Sequence, residues 1–145
     1  MAVRRRTPAD AGTLAASLLV DACQTVPENS LRLEVVSSLA LDLGRRLEAL
    51  VKDDAAGSLV EAALACADLA TLAACNLQAL SDNDRPLAAA AVHLAAGTTR
   101  ALIPLIELEA ATVNESSAEN TLRDARSARW RADLAIRQVE GSQED

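Results

Sequence analysis

Apolar residues recur along this chain at the three-to-four-residue spacing of an α-helix, in five successive stretches parted by short polar or proline-marked breaks. The first stretch opens with Thr7-Pro8-Ala9-Asp10. Thr7 suits an N-cap, Pro8 the first helical position, and Asp10 the positive end of the helix dipole. Leu14, Ala15, Leu18, Leu19 and Ala22 follow as one stripe and predict a helix to about Thr25. Pro27-Glu28-Asn29-Ser30 marks a turn. The second helix then runs to about Lys52, with Val36, Leu39, Leu43, Leu47 and Leu50 as its main stripe. Leu33 and Leu41 lie off that stripe and give it a second apolar side.

Asp53 to Gly57 reads as a turn, and Ser58 with Glu61 forms a capping box that opens a third helix to about Leu80. Ser81-Asp82-Asn83-Asp84 is a loop, with Asp84 as a cap ahead of Pro86 and the fourth helix. Gly97 and Pro104 interrupt that helix. A proline has no backbone N–H to donate, so a bend is expected near residues 100–104. Asn114-Glu115-Ser116-Ser117 predicts a break, and Ser116 with Glu119 repeats the capping pattern. One long bent helix through this region is the alternative. The fifth helix carries Leu122, Ala125, Ala128, Ala132, Ala135 and Val139 on one stripe. Residues 1–6 are expected to be a disordered basic arm and residues 141–145 a frayed tail.

Short connections between long helices favour antiparallel neighbours. The pattern therefore predicts an all-α fold: a compact antiparallel helical bundle of about five helices, forming a single domain over residues 1–145. Composition sharpens this. Half of the residues are hydrophobic, but Trp130 is the sole aromatic. Alanine and leucine supply most of the rest, and both are strong helix formers. A core of such small side chains requires close helix packing.

The net charge of −7 argues against a nucleic-acid partner, because phosphate neutralisation needs a basic surface. A membrane span is not expected either. The apolar stretches Leu59–Leu80 and Leu87–Ile106 contain Glu61 and Asp68, and His93 and Arg100, which bilayer spans tolerate poorly. Residues 1–23 run from a basic start through a short apolar stretch to Cys23, as an exported leader would, yet Asp10 and Asp21 interrupt that pattern. Cys23, Cys66 and Cys75 are an odd set without metal-type spacing. Cys66 and Cys75 would lie on opposite sides of one helix, about 13 Å apart in rise, beyond disulfide reach. These features point to a cytoplasmic protein.

Candidate chemistry gathers where polar residues break the apolar runs of the third and fourth helices. A hairpin about Asn83 would set Asp68 opposite residues 98–100 and Asn76 near His93. Asp68, Asn76, His93, Thr99 and Arg100 would then line a small-molecule cleft, with His93 as general base or Arg100 as anion anchor. The plainer reading makes Asp68–Arg100 a structural ion pair at the edge of the core and His93 a single hydrogen-bonded histidine on a mostly apolar helix. Cys75 near His93 lacks the orienting third group of a thiol nucleophile. Di-iron chemistry needs Glu-x-x-His pairs, and the residue three before His93 is Ala90, so neither a metal nor a cofactor is expected.

The fifth helix differs in character. Between Leu122 and Val139 it holds five arginines against Asp124 and Asp133. Glu119–Arg123 and Asp133–Arg137 have the spacing of helical ion pairs. Trp130 and Leu134 sit together off the alanine stripe, with Arg126 a turn earlier. Arg126, Trp130 and Leu134 therefore form a candidate interface, for a second copy of the chain or for another protein; the alternative is that Trp130 covers another helix of its own bundle. Two functional classes follow: association through a helical bundle, as a homodimer or higher oligomer, or ligand binding and catalysis in the cleft.

Overall fold

The computed structural model describes residues 8–24, 31–52 and 58–143. Five α-helices follow in order: α1 (Ala9–Gln24), α2 (Leu31–Lys52), α3 (Ser58–Cys75), α4 (Arg85–Ala110) and α5 (Glu115–Gln143). A 3-10 turn, Leu77–Ala79, links α3 to α4, and the described residues include no strand. The protein is an all-α helical bundle. The expected Thr7 cap, the basic arm, the two turns at 27–30 and 53–57, and residues 144–145 lie outside the described residues.

α3 forms the inner helix. It packs on α4, α5 and α2 and touches α1, while α1 packs on α2 and α4, and α5 lies across α3 and α4. α2 is peripheral, held by α1 and α3, which is why only Leu33, Val36, Ala40 and Leu47 of its 22 residues are buried. The core is largely alanine, in two neighbouring clusters. Leu19, Leu33, Leu47, Leu69, Leu102 and Ile106 supply its bulk. Each buried methyl contributes little, so stability depends on many close contacts between backbones.

Two glycines show how close. A Cβ at Gly44 of α2 would lie 2.9 Å from the Ala16 Cβ of α1. One at Gly12 would lie 2.7 Å from the Cys66 Sγ and 3.1 Å from a Leu47 methyl. Gly97, by contrast, faces open space.

The helix boundaries revise four expectations. α3 ends at Cys75, not near Leu80, because the chain tightens into the 3-10 turn. Asp84 gives α4 no side-chain cap; its Oδ2 accepts from the Ser81 hydroxyl at 2.7 Å. α5 begins at Glu115, one residue before Ser116, and is capped by Asn114, whose Oδ1 accepts from the Ser117 N–H at 2.9 Å. α4 and α5 are thus separate helices, and α5 continues through Gly141 to Gln143 rather than fraying there.

α3 and α4 are long and apolar enough to cross a membrane by length and composition, and 50% of each apolar window is buried inside the bundle. Their central position accounts for that apolar character.

Candidate functional site

The five residues of the expected cleft do not meet. Asp68 is exposed on α3 and pairs with Arg131 of α5, not with Arg100. Arg100 instead holds Asp133 of α5, with Nη2 at 2.6 Å and Nε at 2.8 Å from the same carboxylate oxygen, Oδ1. The expected Asp68–Arg100 pair is therefore replaced by two pairs that fasten α5 to α3 and to α4. The cause is register. Thr99 approaches the Ala63 carbonyl, at 3.5 Å, where a symmetric hairpin about Asn83 would have brought it beside Ala67. The early end of α3 shifts the two helices by about one turn. Asp68 and Arg100 both point out of the α3–α4 seam, and α5 supplies the opposite charge to each.

Thr99 is fully buried, and its hydroxyl donates to the Ala95 carbonyl at 3.0 Å, so it is a self-satisfied core residue. His93 is exposed on α4. Asn76 is buried at the end of α3, where its Oδ1 accepts from Arg32 Nε at 2.7 Å and its Nδ2 donates to the Leu72 carbonyl, also at 2.7 Å. Arg32 Nη2 also donates to the Cys75 carbonyl at 3.1 Å. A cation from α2 thus closes the negative end of the α3 dipole. Arg32 carried no sequence signal, because its partners are set by the packing of α2 on α3.

The thiols are free. Burial pushes the Cys66 thiol up to about 12, and the Cys23 thiol is raised first by burial and then by the Asp84 carboxylate. Cys75 is exposed, but neither ion pairs nor hydrogen bonds bring His93 to it. Among the described residues no group of His, Cys, Asp and Glu could hold a metal ion.

Concave space occurs elsewhere. A crevice of about 230 Å³ between α1 and α2 is lined by Thr13, Ser17, Asp21, Arg45 and Glu48 over Ala16 and Gly44. Another of about 590 Å³ between α4 and α5 is lined by Ile103, Ala110, Leu122 and Ala125, with Arg126 and Arg129 beside them. The polar series Thr13, Ser17, Asp21, at i, i+4 and i+8, was the sequence signal for the first.

The interface candidates lie where the spacing put them. On α5, Ala125, Ala128, Ala132, Ala135 and Val139 are buried, and Trp130 is 65% exposed on the opposite side, with Leu134 at 41% and Arg126 also exposed. The expected Glu119–Arg123 and Asp133–Arg137 pairs do not form: Asp133 is taken by Arg100, and Arg123 lies 3.7 Å from its neighbour Asp124. Glu119, Arg126 and Arg137 make no ion pair among the described residues. Two other apolar runs are exposed: Leu31, Val35 and Leu39 on α2, and Leu105 with Leu108 on α4.

No known protein family matches the chain, and no curated protein matches it either.

Proposed function

We propose that this protein works by association rather than by catalysis, and that its partner is a second copy of itself. One observation carries the reading. The only aromatic residue of the chain, Trp130, stands on the outward face of α5 with most of its surface in water. Large aromatic side chains dominate interface energetics, and Trp130 leaves most of its apolar surface unburied in its own bundle. Leu134 beside it and the arginines around it give the composition of an interface: an apolar centre with a polar rim. No nucleic acid, membrane or cofactor enters this reading, which suits an acidic cytoplasmic protein.

The ligand-binding alternative has less support than before, because Asp68, Asn76, His93, Thr99 and Arg100 belong to separate contacts. Its best remaining location is the α1–α2 crevice, where Arg45 and Asp21 offer opposite charges without an ion pair of their own among the described residues.

The test is Trp130→Ala. Light scattering should report a smaller species than wild type, with the helical circular dichroism signal retained. A variant that keeps the wild-type subunit count would remove Trp130 from any interface.

A further inference from the structure

We propose that two copies dock through the outer faces of α5, antiparallel about a two-fold axis beside Ala128, so that Trp130 of each lies on Arg126 of the other. This rests on the association reading and specifies its geometry.

Both flanks of α5 are already occupied. Arg131 ties one flank to Asp68 of α3, and Asp133 ties the other to Arg100 of α4. What remains is the outward face bearing Glu119, Arg123, Arg126, Trp130, Leu134 and Arg137, every one exposed. A parallel pairing of two such faces would set each arginine against its own copy. The antiparallel pairing about residue 128 brings unlike groups together. Glu119 then meets the partner's Arg137, and Arg123 meets the partner's Asp133. Arg126 meets the partner's Trp130, a cation over an indole.

Each of these contacts has a monomer observation behind it. Glu119, Arg126 and Arg137 have no ion pair within the chain among the described residues. Arg100 uses only Oδ1 of Asp133, which leaves Oδ2 for the partner's Arg123. Sliding the partner by one turn in either direction destroys the match. One shift opposes Arg126 to itself and Glu119 to the partner's Asp133; the other opposes Arg123 to the partner's Arg137. The pattern on this face is therefore complementary to itself in one orientation and register, as a two-fold interface requires.

The experiment reverses the Glu119–Arg137 pair, which occurs twice in the dimer. Glu119→Arg, Arg137→Glu and the double variant are compared by sedimentation equilibrium, with circular dichroism as the folding control. Each single reversal should weaken self-association about tenfold, since two exposed pairs change from attraction to repulsion. The double variant should return to within about threefold of wild type. Glu119→Arg makes the chain less acidic and would by itself ease association, so its loss of affinity is diagnostic. Should a reversal fail to fold, Glu119→Gln and Arg137→Gln give the same direction with smaller size. A wild-type dimer indifferent to all these changes overturns the α5 pairing while leaving association intact. A wild-type monomer overturns both.

Discussion

Gly44 and Gly97 both sit inside long helices, yet a methyl group at each meets a different environment. At Gly44 it would press on Ala16 at 2.9 Å, so Gly44→Ala must part α1 from α2. That overpacking should cost about 1–2 kcal/mol even after the gain in helix propensity. At Gly97 nothing lies within 4 Å, so Gly97→Ala should stabilise by about 0.5–1 kcal/mol. Urea denaturation of the two variants checks the contrast, and destabilisation by both would show that the helix contacts differ from those described. Sequence spacing marks Gly97 as an interruption of the fourth helix and gives Gly44 no role. Which glycine is structural depends on a neighbouring helix. Cys66 offers a second test at this scale. Its thiol titrates at about 12 against an ordinary 9.0, because burial favours the neutral form. A raised folded value means that this contribution is complete below pH 9 and is lost as pH rises towards 12. Wild-type stability should therefore fall more steeply over that range than that of Cys66→Ala, which lacks the group. Equal slopes would contradict the burial of a neutral thiol.

The helices themselves were legible, because each starts on residues whose chemistry suits a helix terminus and each keeps a 3.6-residue stripe. Their joints were not. Leu77–Ala79 has helix-forming residues, and Asn76 alone separates it from α3. Thr99 meets the Ala63 carbonyl, a turn away from Ala67, and Asp68 and Arg100 pair with α5 rather than with each other. Asn114 and Ser116 are both good caps, and the earlier one is used. Arg32 is the residue at this scale whose role needed three dimensions. It spans from α2 to the last carbonyl of α3 and to the buried Asn76. Arg32→Ala should destabilise the fold by about 1–2 kcal/mol, because Asn76 Oδ1 is left without its charged donor. Arg32→Lys should recover only part of this, since a single ammonium does not reproduce the planar fork. Unchanged denaturation midpoints in both variants would mean that water replaces the guanidinium at no loss.

For the whole molecule, the bundle separates two kinds of surface. Its interior is alanine and leucine, and its ion pairs on α5 are spent on holding α5 to α3 and α4. The outer side of α5 keeps the one aromatic side chain, together with Glu119, Arg126 and Arg137, which make no ion pair among the described residues, in a chain whose net charge is −7. Such a face is stable in water only as a compromise, and covering it with a second copy removes the exposed indole and satisfies the charges together. Self-association then shows in the solution mass of the wild-type chain. Sedimentation equilibrium at micromolar concentration should return about 30 kDa, twice the 15.1 kDa of one chain, falling towards the monomer on dilution. A mass of 15.1 kDa that holds at every concentration would contradict the account.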